Sequence, residues 1–300
     1  MQRLPAVKQM GRSIYLLFFL LCSTVLITVI ADARADMRQP VERFVQYSFD
    51  IRNTTGRVVR DIEFETFAPV KQTASQRFES LEVSHPYELF TDELGNQIIN
   101  IRFEAIPPYG TEIVRIKARL TMSAKSPEVP DYGPDRYLLP GQFVESDNPK
   151  ITRMAERFAA NDPMATATSI FKWVSGNIKY AGYIGREKGA LAALRDKSGD
   201  CTEYMDLFAA LGRANNIPVR RIGGYICSKN CILQPAGFHN WNEFYADQAW
   251  HPADPQNKIF MKNQADYIAM QIIPESADNP MSGFNRFRIR GKGVEVRMNN

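Results

Sequence analysis

The sequence has few of the residues from which metal sites are built. Its 300 residues include only three histidines and four cysteines. Cys227 and Cys231 lie close together, but their C-x3-C spacing is not a usual spacing for zinc ligands and no second pair matches it. The sequence therefore argues against a zinc site, and we expect no metal.

The chain also has little excess charge, no internal repeat and no low-complexity tract. Its formal net charge is +4, of which residues 1–35 hold +3, so that the remainder carries only +1. That balance lacks the basic footprint of a nucleic-acid-binding protein, and we expect no nucleic-acid partner. The composition is otherwise that of a globular protein, and about 265 residues are enough for two domains of ordinary size.

The first residues have the pattern of a targeting segment. Lys8 and Arg12 precede an apolar stretch over residues 14–31, and small residues follow in A-x-A spacing that ends at Ala33 or Ala35. A positive start, an apolar middle and a small-residue end are typical of a secretory signal. Because the stretch approaches the ~20 residues of a membrane span, an uncleaved anchor is the alternative. Residues 1–35 are therefore predicted to be a signal peptide or an N-terminal anchor of a periplasmic or extracellular protein.

Export changes the interpretation of the cysteines. Cys22 lies inside the apolar stretch, which leaves Cys201, Cys227 and Cys231 in the exported part. In an oxidising compartment an odd cysteine is a candidate free thiol. The simplest pairing is a local disulfide between Cys227 and Cys231, with Cys201 left free. The alternatives are that all three stay reduced or that Cys201 pairs with one of the others.

Short alternating segments dominate residues 41–122. Apolar residues alternate within residues 44–51, 97–103 and 111–120, and turn residues such as Asn53 to Gly56 separate these segments. This spacing predicts a small antiparallel β-sandwich. A linker over residues 123–140, rich in proline and glycine, follows it. Residues 141–300 are predicted to form a second domain, which ends in a hairpin over Arg286 to Val296.

Helical periodicity begins after the linker and leads to Cys201. The third predicted helix starts at Cys201, with Asp200 as its cap and Glu203 in a capping-box position. The unsatisfied N–H groups and the positive dipole end of a first turn favour a thiolate, which is the form that acts as a nucleophile. Taken alone, a small buried cysteine at the start of a core helix is the more common arrangement.

A predicted hairpin places an imidazole and a carboxylate on one face. His239 to Tyr245 alternates as a strand, and Trp250 to Asp254 returns after a short turn. A two-residue turn at 247–248 puts Asp254 one diagonal away from His239, and a turn at 246–247 puts it directly opposite; both allow side-chain contact. The carboxylate then fixes the imidazole tautomer, which leaves the other ring nitrogen for a thiol.

These segments together resemble the bacterial transglutaminase-like superfamily, over about residues 135–275. The residues that carry the resemblance are Gly199-Asp200-Cys201, the helix that follows it, Ile217-Pro218-Val219-Arg220, Gly223-Gly224-Tyr225, His239-Asn240-Trp241-Asn242-Glu243, Trp250 to Pro255 and the upstream run Trp173 to Tyr180. The resemblance implies an α+β fold in which the N-terminal β-sandwich-like domain precedes a papain-like core. In that core, a helix bearing the cysteine packs on an antiparallel sheet bearing the histidine and the aspartate. One local departure is Asp247-Gln248-Ala249, where a glycine is commoner.

The resemblance also implies roles for individual residues. Cys201 corresponds to the nucleophile, His239 to the base that later acts as an acid, and Asp254 to the residue that orients the imidazole. Tyr180 matches an aromatic position on the oxyanion side of the cysteine, and Trp241 is a candidate for the lining of the substrate site.

The chemistry implied by the resemblance is acyl transfer through a thioester on Cys201. Water as the acceptor gives a protease or amidase, and a lysine amine gives a protein crosslinker. The partner is then a protein or peptide substrate, and neither a metal nor an organic cofactor is needed. The alternative is a catalytically inactive transglutaminase-like binding module of the cell envelope.

Overall fold

The structure is a computed structural model that describes residues 40–123, 133–275 and 286–300. The expected signal or anchor over residues 1–35 lies outside the described residues, as do residues 124–132 of the expected linker. Among the described residues, no helix is both long enough and apolar enough to cross a bilayer.

Six strands follow one another in the N-terminal part of the described chain. They are β1 (Val41–Asn53), β2 (Val59–Ala68), β3 (Gln76–Val83), β4 (Glu88–Thr91), β5 (Gln97–Ile106) and β6 (Thr111–Met122). β1, β6 and β3 lie side by side in one sheet, and β2, β5 and β4 in another. Alternate residues of β1, from Val45 to Ile51, are buried, as the period of an extended chain requires. The two sheets enclose one apolar cluster, which confirms the predicted sandwich.

The C-terminal strands complete the sandwich in a way that the sequence did not indicate. β15 (Phe287–Arg290) pairs with β2, and β16 (Val294–Met298) pairs with β1. The two strands thus lie in different sheets rather than in the closing hairpin that we expected. β15 packs Phe287 and Ile289 against the apolar cluster of the sandwich, and Arg290 also bonds to Glu63 on the neighbouring strand at 2.9 Å. The boundaries of the two predicted domains stay a prediction.

In the part of the chain that the structure describes, four α-helices precede or carry the predicted site. They are α1 (Pro149–Ala155), α2 (Pro163–Asn177), α3 (Ala190–Asp196) and α4 (Cys201–Ala214), and short 3-10 turns span Pro134–Leu138, Glu156–Phe158, Pro235–Gly237 and Gln264–Asp266. α2 begins at Pro163 with Asp162 as its cap, and a proline suits this first turn because its missing N–H has no partner there. α3 was not anticipated, so the helix of Cys201 is the fourth α-helix among the described residues rather than the third.

The second half of the chain is built on a five-stranded antiparallel sheet. Its order is β13 (Ile259–Phe260), β12 (Ala249–Asp254), β11 (Phe238–Ala246), β9 (Val219–Ile226) and β14 (Tyr267–Ile272). α4 packs on β11 and β9 through an apolar cluster that includes Phe208 and Phe244. The strands β7 (Lys179–Tyr180) and β8 (Ser198–Gly199) pair in parallel beside the start of α4, and β10 (Cys231–Ile232) joins β1. The helix that begins with Cys201 therefore lies directly on β11, the strand of His239, which is paired with β12, the strand that carries Asp254.

Candidate active site

Cys201 is the first residue of α4, and the local sequence fixes that start. The side chain of Asp200 accepts a hydrogen bond from the Thr202 N–H at 2.9 Å, and Glu203 reaches back to the Asp200 N–H at 2.9 Å. This is the reciprocal capping box expected from the spacing. The N–H of Cys201 belongs to the first turn, whose donors have no carbonyl partner within the helix. Cys201 itself is a partly exposed free thiol.

The same capping carboxylates hold the loop that follows Tyr180. Asp200 Oδ2 accepts from the Ile184 N–H at 2.8 Å, and Glu203 Oε1 accepts from the Lys188 N–H at 3.0 Å. Burial raises the pKa of Glu203, although hydrogen bonds from the Asp200 and Lys188 N–H groups oppose the shift. One pair of side chains thus positions both the nucleophile's helix and the neighbouring loop, which we call the tethered loop (residues 181–189).

The hairpin of β11 and β12 has the register of the first alternative. Tyr245 pairs with Trp250 and Ala246 with Ala249, so the turn is Asp247-Gln248 and Asp254 lies one diagonal away from His239. Both turn residues have positive φ, 49° and 60°, as a type I′ hairpin turn requires. The missing glycine therefore leaves the turn type unchanged.

The imidazole of His239 lies between the thiol and the carboxylate. Its Nε2 is 2.7 Å from Asp254 Oδ2. The ring also hydrogen-bonds the side chain of Cys201. Both His239 and Asp254 are buried, at 9% and 2% exposure. The three residues that the sequence singled out thus meet at one point, with the order thiol, imidazole and carboxylate.

The electrostatics of this cluster favour a charged imidazole. Burial lowers the pKa of His239, but hydrogen bonds and charge from Asp254 and Cys201 outweigh it and raise the pKa to about 9. Burial raises the pKa of Asp254, yet the hydrogen bond and charge of His239, with further donors, bring the net pKa below its ordinary value. The Asp254 carboxylate therefore stays ionised beside the His239 imidazolium, because each charge stabilises the other.

Two further residues bind the Asp254 carboxylate and were missed from the sequence. The Tyr267 hydroxyl donates to Oδ2 at 2.8 Å, and Asn257 donates from its side chain to Oδ2 at 2.8 Å and from its N–H to Oδ1 at 3.1 Å. Asn257 Nδ2 is also 3.1 Å from His239 Nε2. The position of Asn257 three residues after Asp254, past Pro255, is a turn pattern that could have signalled the first contact. Nothing in the sequence pairs Tyr267 with Asp254, because β14 reaches the site only through β9.

Asn240 connects the nucleophile's helix to the strand of His239. Its side-chain N–H group donates to the Thr202 hydroxyl at 3.0 Å. Each of these residues follows a member of the predicted triad in sequence. The contact therefore joins the first turn of α4 to β11 beside the Cys201 and His239 pair.

Tyr180 and Trp241 occupy very different places. Tyr180 is 59% exposed and pairs with Gly199 at the edge of the site, where it faces solvent. Trp241 is 1% exposed, and its ring stacks near that of His239, with centroids 6.4 Å apart. A side chain so buried has no surface to offer to a substrate. Its contacts are those of a support for the imidazole, which corrects the expectation that it lines the substrate site.

Cys227 and Cys231 form a disulfide in the loop between β9 and β11. Residues of this loop also bind β1, since Cys231 pairs with Val45 and the Leu233 N–H donates to the Gln46 carbonyl at 2.7 Å. Cys201 is left as the free cysteine of the described residues.

A buried ion-pair network lies below the site and was not expected from the sequence. Arg221 on β9 bonds to Asp206 on α4 at 2.8 Å, to Glu187 of the tethered loop at 2.8 Å and to Glu275 at 3.2 Å. Burial raises the pKa of Asp206 well above its ordinary value, although Arg221 opposes the shift. Across the described residues, no three His, Cys, Asp or Glu side chains are grouped closely enough to hold a metal ion.

Comparison with known proteins identifies the domain that carries this site. Residues 152–255 match the sequence profile of the transglutaminase-like superfamily, so the chain contains a transglutaminase-like domain, as the resemblance indicated. None of the curated proteins matches the chain at a significant level.

Two solved structures resemble the chain to different degrees. A protein from Cytophaga hutchinsonii, whose proposed activity is that of a cysteine protease, is similar with a TM-score of 0.59 at 19% identity; the match covers 87% of this chain and 91% of that one. The periplasmic domain of TgpA from Pseudomonas aeruginosa is similar with a TM-score of 0.40 at 16% identity over 71% of this chain and 90% of that one. The first match and the profile together confirm the predicted α+β fold with a transglutaminase-like core.

Proposed function

We propose that the protein is an exported cysteine enzyme that transfers or hydrolyses acyl groups of protein or peptide amides through a thioester. The observation that carries this proposal is the single line of contacts from Cys201 through His239 to Asp254. The transglutaminase-like domain supports a cysteine-enzyme fold, and the catalytic roles are assigned from the geometry.

In the first half-reaction the Cys201 thiolate attacks the carbonyl carbon of a carboxamide or peptide bond. The C–N bond breaks as the protonated His239 gives its proton to the departing nitrogen, and a thioester remains on the sulfur. The negative oxygen of the intermediate lies near the first turn of α4, where the Cys201 N–H is available as a donor. One such donor contributes about 3 kcal/mol in comparable sites.

In the second half-reaction the neutral imidazole removes a proton from the acceptor. A water or an amine then attacks the thioester carbonyl, the C–S bond breaks and the thiolate returns. Asp254 holds the imidazole by its Nε2, so that the other nitrogen serves both transfers. The pKa of about 9 for His239 keeps the imidazole protonated at neutral pH, ready to give its proton to the departing nitrogen.

The disulfide supports the export part of the proposal. Structural disulfides persist in oxidising compartments and are rare in the cytosol. Cys227 and Cys231 are bonded, and Cys201 is free. Alkylation of the protein from a periplasmic or secreted fraction before reduction should therefore modify one thiol of the mature chain, and alkylation after reduction should modify three. Three free thiols before reduction would argue against the oxidised loop.

The main test follows the products formed from glutamine-containing peptides. The mature protein is incubated with them in the presence and absence of a primary amine, and products are identified by mass. Ammonia release with amine incorporation assigns crosslinking, and chain cleavage assigns a protease. Cys201→Ala is the matched inactive control, and it should abolish either product.

A negative result has a defined meaning. If no product forms and a neutral thiol reagent labels Cys201 no faster than a model thiol near neutral pH, the activated nucleophile is excluded. The remaining interpretation would then be a binding module that uses the same fold.

A further inference from the structure

Exposed basic side chains surround the candidate active site on the cysteine side. Lys179 belongs to β7, which pairs with the residues just before Asp200, and Arg186 and Lys188 belong to the tethered loop. All three are exposed. The N–H groups of Ile184 and Lys188 donate to the capping carboxylates of Asp200 and Glu203. The tethered loop is therefore held beside the start of α4, where Cys201 lies.

Another basic residue lies on the histidine side. Lys258 is exposed and directly follows Asn257, whose side-chain nitrogen is 3.1 Å from His239 Nε2. Its backbone has a positive φ of 58°, in the turn that carries Asn257 and leads into β13. We call Lys179, Arg186, Lys188 and Lys258 the basic rim.

The carboxylates of the same segments are engaged elsewhere. Glu187 is partly exposed and bonds to Arg221 at 2.8 Å, while Asp200 and Glu203 are buried in the capping box. Asp196 is bound by two hydrogen bonds from Arg195, which lower its pKa, and Lys188 adds only a smaller effect of the same sign. Among the described residues, no salt bridge of 4 Å or less engages a side chain of the basic rim.

From this charge pattern we propose that the acyl donor is an acidic peptide, with carboxylates on either side of the amide that Cys201 attacks. The inference rests on the proposed function, because it names the substrate class of that site. An anionic chain laid across the thiol would meet Arg186 and Lys188 on one side and Lys258 on the other. Exposed charges act over about 8 Å at physiological ionic strength, so the preference should weaken as salt is added.

A pair of small thiol reagents measures the field of the basic rim at the sulfur without any catalysis. Iodoacetate is anionic and iodoacetamide is neutral, and both alkylate the same atom. The ratio of their rate constants at Cys201 is compared with the ratio for a neutral model thiol, at low and high salt. We expect a higher ratio at Cys201 that falls with salt.

Charge reversal separates the basic rim from the imidazolium of His239, which also attracts iodoacetate. In Arg186→Glu/Lys188→Glu/Lys258→Glu the ratio should fall at least fivefold, since an exposed charge changes an interaction by roughly two- to fivefold. Lys150→Glu, which reverses an exposed lysine at the start of α1, is the matched control and should leave the ratio unchanged. An unchanged ratio in the triple variant overturns the proposal.

The two hypotheses fail in different ways in this experiment. Loss of activation appears in the rate with iodoacetamide and counts against the proposed function. If iodoacetamide labels Cys201 faster than a model thiol but the iodoacetate-to-iodoacetamide ratio is the same in the wild type and the triple variant, only the proposal of an acidic substrate is overturned.

A peptide series tests the substrate class directly. Three peptides each contain a single glutamine as the acyl donor. Its flanking residues are Glu in the first peptide, neutral residues other than Gln in the second and Lys in the third. For the wild-type protein kcat/KM should be highest with flanking Glu and lowest with flanking Lys at low salt, and the triple variant should reverse the order. Equal kcat/KM values for the three peptides would overturn the proposal.

Discussion

The Tyr267 hydroxyl donates a hydrogen bond to Asp254 Oδ2, the same oxygen that lies 2.7 Å from His239 Nε2. Tyr267 is the first residue of β14, which pairs with β9 on the side away from β11. The first residue of β14 thus contacts the carboxylate of Asp254, although β14 lies three places from β12 in the sheet. The carboxylate is fixed from several directions, which matters because its orientation sets that of the imidazole.

Tyr267→Phe should loosen that carboxylate without removing any member of the triad. A hydrogen bond to a charged group contributes about 1.5–3 kcal/mol, of which we expect about 1 kcal/mol to appear as a fivefold loss of kcat with little change in KM. Because the hydroxyl lowers the pKa of Asp254, its loss should raise that pKa. The acidic limb of the pH–rate profile is the measurement.

A matched control is available in the sandwich. Tyr47 also donates from a buried hydroxyl, to the Phe67 carbonyl at 2.6 Å. Tyr47→Phe should reduce stability while leaving the rate of Cys201 labelling and the pH–rate profile unchanged. Equal effects of the two variants on labelling would mean that Tyr267 acts only through general stability.

The pKa of His239 predicts how stability depends on pH. The value rises from 6.5 to about 9 on folding, so the imidazolium contributes stability that is fully present below about pH 6.5 and lost as pH rises through about 9. The size is about 3 kcal/mol at 1.36 kcal/mol per unit. We expect the difference in free energy of unfolding between the wild type and His239→Gln to shrink by that amount between pH 6 and pH 10.

Proton NMR provides an independent measurement of the same quantity. The chain has only three histidines, so the His239 resonance is assigned by its absence from His239→Gln. Asp254→Asn should move the midpoint of that titration downwards, because the carboxylate is what raises it. A midpoint that stays in place after this substitution would remove Asp254 as the cause.

Local sequence rules account for much of the candidate site. Asp200, Cys201 and Glu203 form the capping box that their spacing indicated, and Asp247-Gln248 forms the two-residue turn that puts Asp254 diagonal to His239. Both features depend on contacts within a few residues, where spacing and backbone geometry decide the structure.

Features that depend on long-range packing escaped the sequence. Tyr267 contacts Asp254 only because β14 lies beside β9, and β15 and β16 pair with β2 and β1 across more than 200 residues. Trp241 was a candidate for the lining of the substrate site. Burial on the inner face of the sheet decides its role instead, and burial is a tertiary property that alternation alone does not fix.

Gly199 is required by the close approach of Glu203. A Cβ at position 199 would collide with the Cβ of Glu203. That atom is bonded directly to the helix backbone and cannot rotate away. Gly199→Ala should therefore disturb the capping box, lower the free energy of unfolding by about 1–3 kcal/mol and slow the labelling of Cys201. Thermal unfolding and the iodoacetamide rate are measured together.

Gly176 is the matched control for that substitution. It lies within α2, and a Cβ there would meet nothing within 4 Å. Gly176→Ala should raise stability by up to about 1 kcal/mol through helix propensity and leave labelling unchanged. Destabilisation by both substitutions would show that the collision at Gly199 is not the cause.

The effects of substituting Asp206 and Arg221 on the free energy of unfolding should be strongly non-additive. Asp206 is fully buried, and Arg221→Met would leave its charge without a cation, at a cost of about 3–5 kcal/mol. Asp206→Leu/Arg221→Met removes the stranded charge as well and should cost at least 2 kcal/mol less than Arg221→Met. Chemical denaturation of the wild type, both single variants and the double variant measures this coupling.

The pH dependence of Arg221→Met separates a stranded charge from lost packing. Burial raises the pKa of Asp206, and removal of Arg221 eliminates the main opposing effect. The folded variant should then bind a proton that the unfolded chain releases at neutral pH, so its stability should rise as pH falls from 7 to 5. A stability difference from the wild type that stays constant over this range would instead indicate lost packing of the arginine side chain.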